Sequence, residues 1–342
     1  NYEDNNIKLI NEWLNYSKKR IYYKIVFKPN VYYKYVPDSK NVYNLWNGWE
    51  YEYDENFKVD EEQFKLIKNH ILEVLCNGVQ EHYEYLIKLW KIILLGKKSG
   101  IGVCLTGLQG TGKSLPLEYL GNKIIGERYF AYLNNLEDLT NKFSNLRVNK
   151  SFIICDELDT WSGDHKTAQI LKSLITQGLT KLERKGKDAI NVDDFSNMCF
   201  ISNNTKPIKV EGKGDRRYFC SDVSEKYKGN REYFDNLNIA MGNDLKVRNL
   251  TKEEKDKAYI ISKHFFHYIL NQDINNFNPE KIPLTEARKE MMIDYTPPIH
   301  IFFNWFLHKK VYKIKMTDLF KIYYNFCYRN AMKCKFTNSA SL

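Results

Sequence analysis

The chain has little of what would anchor it in lipid or staple it covalently. Its longest apolar run, Leu89 to Leu95, is interrupted by Lys91 and bounded by Lys97. This falls well short of the roughly 18–20 apolar residues a membrane span needs. No signal-peptide pattern is present, so an intracellular location is expected. The seven cysteines, Cys76, Cys104, Cys155, Cys199, Cys220, Cys327 and Cys334, form no C-x-x-C pair. Their scatter argues against structural zinc, and several lie in apolar runs, as core thiols of a reducing compartment do. Internal repeats and long low-complexity linkers are also lacking. Acidic residues are the minority: 52 Lys+Arg against 42 Asp+Glu leave a net charge of +10, and the pI is near 9.0. That balance suits a polyanionic partner, with diffuse solubilising charge as the alternative.

What is present indicates a folded protein of two or three domains. The chain has 342 residues, 43% of them hydrophobic and 15% aromatic, with 25 tyrosines. It starts at Asn1 rather than methionine, as a piece of a longer protein would. The most informative stretch is Gly107-Leu108-Gln109-Gly110-Thr111-Gly112-Lys113-Ser114. It fits G-x-x-x-x-G-K-[ST], the phosphate-cradling loop of NTP-binding proteins. A buried strand is expected before it at Ile101–Thr106 and a helix after it at 113–121, the context this motif requires. Glycines let backbone N–H groups converge on a phosphate, and a helix N-terminus adds partial positive charge. Lys113 would then reach the β- and γ-phosphates of ATP, and the Ser114 hydroxyl would ligate Mg²⁺.

Around this loop the pattern alternates between strand and helix. Strands are expected at 101–106, 129–132, 151–155, 179–183, 198–202 and 217–220, and helices at 113–121, 136–144 and 164–177. The alternation predicts an α/β fold, a three-layer sandwich with a largely parallel sheet. Before it, Ile21 to Phe27 alternates enough for a strand. Asp60 and Gln63 resemble a capping box opening a helix, and a second helix is expected over Glu81 to Leu95. After about 230 the chain turns helical. Thr251 and Glu254 form a capping box opening a helix to about Leu270, and Thr317 is expected to cap a last helix to about Asn330. The domain reading is 1–59 as an extension or linker, 60–96 as a helical module, 97–229 as the nucleotide core, and 230–342 as a helical domain.

Further motifs carry chemistry. Phe152-Ile153-Ile154-Cys155 is an apolar strand followed by Asp156 and Glu157. It lies about forty residues past the loop, room for one crossover in a parallel sheet. Asp156 would hold Mg²⁺ through its water shell, and Glu157 would orient and deprotonate the attacking water. A second apolar strand, Cys199 to Ser202, ends in Asn203-Asn204. With neighbouring strands aligned, Asn203 would sit beside Glu157 and the γ-phosphate. Arg216 and Arg217 follow a glycine-containing loop and could pair with a γ-phosphate, in a ring that of the neighbouring subunit; a solvated basic turn is the bland alternative. Leu179 to Val192 reads as a β-hairpin with a basic tip, whose Arg184, Lys185 and Lys187 could grip a nucleic-acid backbone.

In this order (loop, Asp-Glu strand, basic hairpin, Ser-Asn strand, Arg-Arg) the motifs resemble those of superfamily 3 helicases, ring-forming AAA+ ATPases of viruses, phages and plasmids. The resemblance is strongest to poxvirus-type and phage-type primase-helicases and covers about residues 60–290. Phe143 to Glu157, with Arg147 and Lys150, fits that branch, and so does Ile282 to Arg288. The resemblance implies a helical collar at 60–96, an AAA+ core at 97–229, and a C-terminal helical or winged-helix domain. It implies Gly107–Ser114 and Asp156 as the nucleotide-binding set, with Lys113, Ser114, Asp156 and Glu157 as the ATPase residues. Asn203 becomes the γ-phosphate sensor, Arg216 or Arg217 the finger acting in trans, and the 183–189 hairpin the DNA-contacting element of the ring pore. The function it implies is an ATP- and Mg²⁺-dependent DNA helicase, a homo-oligomer, expected as a hexamer, on single-stranded or forked DNA. A primase or polymerase domain would belong to the same full-length chain. The rival readings are a DNA-dependent ATPase that remodels or packages, an ATP-organised initiator or scaffold without strand separation, and an RNA-unwinding relative.

Overall fold

The computed structural model describes residues 2–32, 41–134, 138–139, 145–156, 165–182, 188, 190–205, 207–208, 210, 215–295, 298–309, 313–330, 332, 334 and 336. In chain order these include α1 (Tyr2–Asn15), β1 (Lys24–Val26) and β2 (Val42–Asn44), which pair in parallel. Then come α2 (Lys65–His70), which runs on as a π-helical turn over Ile71–Leu75, and α3 (Gln80–Leu94). The central region holds β3 (Gly102–Thr106), α4 (Leu115–Tyr119, continuing as a π-helical stretch to Gly126), β4 (Phe130–Leu133), β5 (Phe152–Cys155) and α5 (His165–Thr176). It continues with β6 (Leu179–Leu182), β7 (Ile190–Asp193), β8 (Asn197–Ser202) and β9 (Tyr218–Asp222). The last helices are α6 (Arg231–Met241), α7 (Lys252–Leu270), α8 (Glu286–Tyr295), α9 (Pro298–Leu307) and α10 (Met316–Arg329).

The core is a five-stranded sheet in the order β4-β5-β8-β3-β9, parallel at every pairing. All but the edge strand β4 are almost wholly buried, because a parallel sheet is covered on both faces. Successive side chains alternate between two separate hydrophobic clusters, as the period of two dictates. Val103, Leu105, Phe152, Ile154, Cys199, Ile201 and Phe219 face one cluster, with α3, α4, α6 and α7. Cys104, Ile153, Cys155, Met198, Phe200, Tyr218 and Cys220 face the other, with Leu171 and Ile175 of α5 and Met291 of α8. The result is the expected α/β arrangement, with helices on both faces of a parallel sheet.

The helices flanking the sheet in sequence are part of the larger cluster. Phe265 of α7 is fully buried and packs against Phe64, Trp90 and Tyr119 at ring-centroid distances of 5.3, 6.2 and 5.8 Å. Tyr119 donates to the Ser262 hydroxyl at 2.8 Å, tying α4 to α7. A strap preceding α2 is pinned to the same surface, where Trp49 Nε1 donates to the Leu94 carbonyl at 2.8 Å. The α9 and α10 helices form their own cluster around Phe302, Leu319, Tyr323 and Cys327.

Two helix starts differ from the sequence expectation. Asp60 does not cap α2: its carboxylate accepts from the Glu62 amide and the Gln63 side chain, and the helix begins only at Lys65. Thr317 lies inside α10, which starts at Met316 after Lys315 with no side-chain cap. The Thr251–Glu254 capping box is present in full. The expected helix at 136–144 lies largely outside the described residues.

Phe265→Ala is expected to destabilise the fold by about 3–5 kcal/mol, because it opens a cavity at the meeting point of three aromatic rings. Thr251→Ala should cost about 1 kcal/mol through loss of the cap. Urea denaturation followed by circular dichroism reads both, and equal losses would contradict this ranking.

Candidate functional site

Three strands deliver the residues that follow them to one edge of the sheet. β3 ends at Thr106 and Gly107–Ser114 follows; β5 ends at Cys155 and Asp156 follows; β8 ends at Ser202 and Asn203 follows. β8 lies between the other two and pairs in register with both, Thr106 opposite Ser202 and Cys155 opposite Phe200. Asn203 therefore stands between the loop and Asp156. Crevices beyond the carboxyl ends of parallel strands are where open α/β sheets bind ligands. Here the crevice is a cleft of about 870 Å³. Gln109, Gly110, Gly112, Lys113, Ser114, Asp156 and Asn203 line one side, and Arg231, Phe234, Asp235, Asn238, Asp244 and Lys246 the other.

The loop has the backbone its glycines predict. Gly107, Gly110 and Gly112 all have positive φ, at +146°, +81° and +82°. At Gly112 the lack of a side chain also has a packing reason. A Cβ there would lie 2.5 Å from Phe234 Cε1 and 3.0 Å from His70 Cε1. Thr111 Oγ1 donates to the Leu108 carbonyl at 3.0 Å and closes the turn. Lys113 is 9% exposed, and its ammonium donates to the carbonyls of Gly107 (2.9 Å) and Leu108 (3.2 Å) and to Asn203 Oδ1 (2.7 Å). The lysine and the amide expected from sequence to share a phosphate are thus in direct contact. Ser114 takes the N-cap position of α4, with Pro116 in the first turn, where its missing N–H costs nothing.

Asp156 is anchored through its backbone, whose N–H donates to the Leu133 carbonyl at 2.8 Å. Its Oδ2 accepts from the Tyr132 hydroxyl of the neighbouring strand. Ser114 and Asp156 line the same cleft as Lys113. Among the described residues no group of three or more His, Cys, Asp or Glu side chains could hold a metal ion by itself. Glu157 lies outside the described residues.

Arg216 and Arg217 are not brought to this cleft. They precede β9, and the Arg217 carbonyl accepts from the Gly102 amide at the start of β3. That is the opposite end of the sheet, roughly 15 Å away along five-residue strands. Arg216 is exposed and pairs with Glu280 at 2.8 Å; Arg217 is half-buried and contacts Asp215 at 3.4 Å. The expected hairpin is present as β6 and β7, antiparallel with Leu179 opposite Asp193. Its tip residues Arg184, Lys185 and Lys187 lie outside the described residues.

One group at the site went unnoticed in the sequence. His70, the last residue of α2, is fully buried under the loop and contacts the Gly112 carbonyl at 3.2 Å and the Tyr233 hydroxyl at 2.9 Å. Its signal was a polar residue on the apolar stripe of Ile67, Ile71 and Val74. The α6 wall of the cleft was likewise not singled out.

Comparison with known proteins bears on the same region. Residues 105–217, from the end of β3 to Arg217, match a protein family of unknown function, DUF5906. A DNA primase-polymerase of Nitratiruptor phage NrS-1 is 24% identical over 216 residues, 57% of this chain and 29% of that protein. The chain therefore spans less than a third of that relative's length. Among solved structures, the A form of the apo NrS-1 C-terminal region (residues 305–718) matches with a TM-score of 0.63 at 17% identity, covering 90% of this chain and 72% of that one. A second apo structure of the region gives 0.63 at 18% identity, with 90% and 71% covered. The chain is a low-identity homologue of a phage primase-polymerase and shares the fold of that protein's C-terminal region.

Proposed function

We propose that this chain is the ATP-driven DNA helicase motor of a phage-type primase-helicase, an AAA+ ATPase of superfamily 3 that works as a hexameric ring. One observation carries the reading. The glycine-rich loop, Asp156 and Asn203 follow three adjacent parallel strands and line one cleft, with Asn203 touching Lys113 at 2.7 Å. Homology to a phage primase-polymerase supports a role in phage DNA replication.

In this reading the triphosphate of ATP lies against Gly107–Ser114. Lys113 exchanges its carbonyl contacts for β- and γ-phosphate oxygens, a stronger charge-assisted set. Asn203, released from Lys113, is free to orient water at the γ-phosphate, and Glu157 takes its proton. Mg²⁺ keeps several waters and needs only one or two protein oxygens besides phosphate. Ser114 and Asp156 fit that requirement, and the ion would neutralise phosphate charge. The nucleoside would then have Phe234 and Asn238 of α6, which line the same cleft, to pack against.

The arginines stand at the far end of their own sheet, so they serve this chemistry only across a subunit boundary. Arg216 is the better candidate of the two. It is exposed, and its ion pair with Glu280 is of the surface kind, worth about 0–1 kcal/mol and easily exchanged. The basic hairpin would carry single-stranded DNA through sequence-independent phosphate contacts.

Lys113→Ala should abolish ATP hydrolysis, and Asn203→Ala should lower kcat by about 10²-fold, the loss typical of one positioned polar group at a reacting centre. A Lys113→Ala chain with full steady-state ATPase would refute the assignment. If the site is shared, mixing inactive Lys113→Ala and Arg216→Ala subunits should restore part of the activity, because some interfaces regain both groups. No recovery from the mixture would contradict the trans arginine. Lys185→Ala with Lys187→Ala should spare basal ATPase and weaken its stimulation by single-stranded DNA; full stimulation would remove the hairpin from the DNA path.

A further inference from the structure

The two ring nitrogens of His70 have partners of different kind. Nε2 lies 3.2 Å from the Gly112 carbonyl oxygen, and Nδ1 lies 2.9 Å from the Tyr233 hydroxyl. A carbonyl can only accept, so Nε2 carries the hydrogen. The neutral ring then accepts at Nδ1, and the Tyr233 hydroxyl donates to it. Burial keeps the ring neutral, pushing its pKa down to about 4. The tautomer is therefore set by these two contacts.

The consequence falls on the next peptide unit. No cis peptide bond occurs among the described residues, and a trans peptide points its C=O and N–H in opposite directions. Holding the Gly112 carbonyl toward His70 turns the Lys113 N–H away from His70, toward the open side of the loop. We propose that His70 is a positioning residue that aims the Lys113 backbone N–H into the phosphate cradle and couples the cradle to α6. The inference rests on the reading of Gly107–Ser114 as an ATP-binding loop.

The coupling has a visible path. Tyr233 stacks on Tyr227 with centroids 3.7 Å apart and planes 6° from parallel. The Tyr227 hydroxyl donates to Glu73, which pairs with Lys226 at 3.0 Å. Phe234, the next residue of α6, occupies the space a Cβ at Gly112 would need. One buried imidazole thus joins the α2 helix, the loop and the wall of the cleft that would face the nucleoside.

A histidine that merely fills the core would affect stability alone, and a nucleotide titration separates the two roles. Mg-ADP affinity is measured by calorimetry on the full chain and its variants, each checked for native circular dichroism. His70→Leu removes the donor and should weaken ADP binding about five- to tenfold, the worth of one hydrogen bond that orients a cradle amide. His70→Gln, whose amide can donate to the Gly112 carbonyl, should return affinity to within about twofold of wild type. Tyr233→Phe keeps the stack but frees the ring tautomer, and should weaken ADP about two- to fivefold. With ATP the loss should fall on KM and leave kcat nearly unchanged, as a contact made equally in ground and transition states does. Wild-type affinity in His70→Leu, or His70→Gln as weak as His70→Leu, would overturn the proposal. If His70→Leu does not fold, Tyr233→Phe decides in the same way. A wild-type chain that binds no ADP would instead overturn the nucleotide reading itself.

Discussion

The register of β8 between β3 and β5 is the constraint on which the site depends. Thr106 stands opposite Ser202 and Cys155 opposite Phe200, so β3 and β8 end level and β5 ends two residues earlier, all at the same edge of the sheet. A slip of one residue would move Asn203 off Lys113 and exchange the two buried faces of β8. Neither change is tolerable, because Met198 and Phe200 fill one core while Cys199 and Ile201 fill the other. Hydrophobic packing on both faces therefore fixes the position of the polar residues beyond the strands. Asn197 adds a pin at the other end: its side chain accepts from the Ser99 amide at 2.8 Å and donates to the Lys97 carbonyl at 3.0 Å.

The loop is held from below as firmly as from its flanks. His70 and Phe234 leave Gly112 no room for a side chain, and Thr111 closes the turn onto the Leu108 carbonyl. The helix before the sheet and the helix after it both reach this point, although more than 160 residues separate His70 from Tyr233 in sequence. On the proposed function, a cleft lined by Gly107–Ser114 and by α6 would give a nucleotide two surfaces to bridge. Movement of α6 relative to the sheet would be felt at Gly112, through Phe234.

Much of this was legible in the sequence, and the exceptions have physical causes. The core strands announced themselves because parallel strands are apolar on both faces, and the loop because its glycines and lysine keep a fixed spacing. Asp60 misled because an aspartate before a helix can equally close a turn with Glu62 and Gln63, which it does. Thr317 misled because α10 starts one residue earlier, without a side-chain cap. His70 was hidden by its surroundings: only the fold shows that a polar residue on an apolar stripe has the Gly112 carbonyl to bond. Arg216 and Arg217 follow the other motifs in sequence, yet lie at the opposite end of the sheet, and a single chain's pattern says nothing of what a neighbouring subunit brings.

On the proposed function, this cleft turns ATP hydrolysis into strand separation. Strand displacement on a forked DNA duplex, with ATP or with a non-hydrolysable analogue, tests it most directly. Unwinding is expected with ATP and none with the analogue. Nucleotide binding accompanied by neither hydrolysis nor displacement would contradict it and leave the loop as an organiser of assembly.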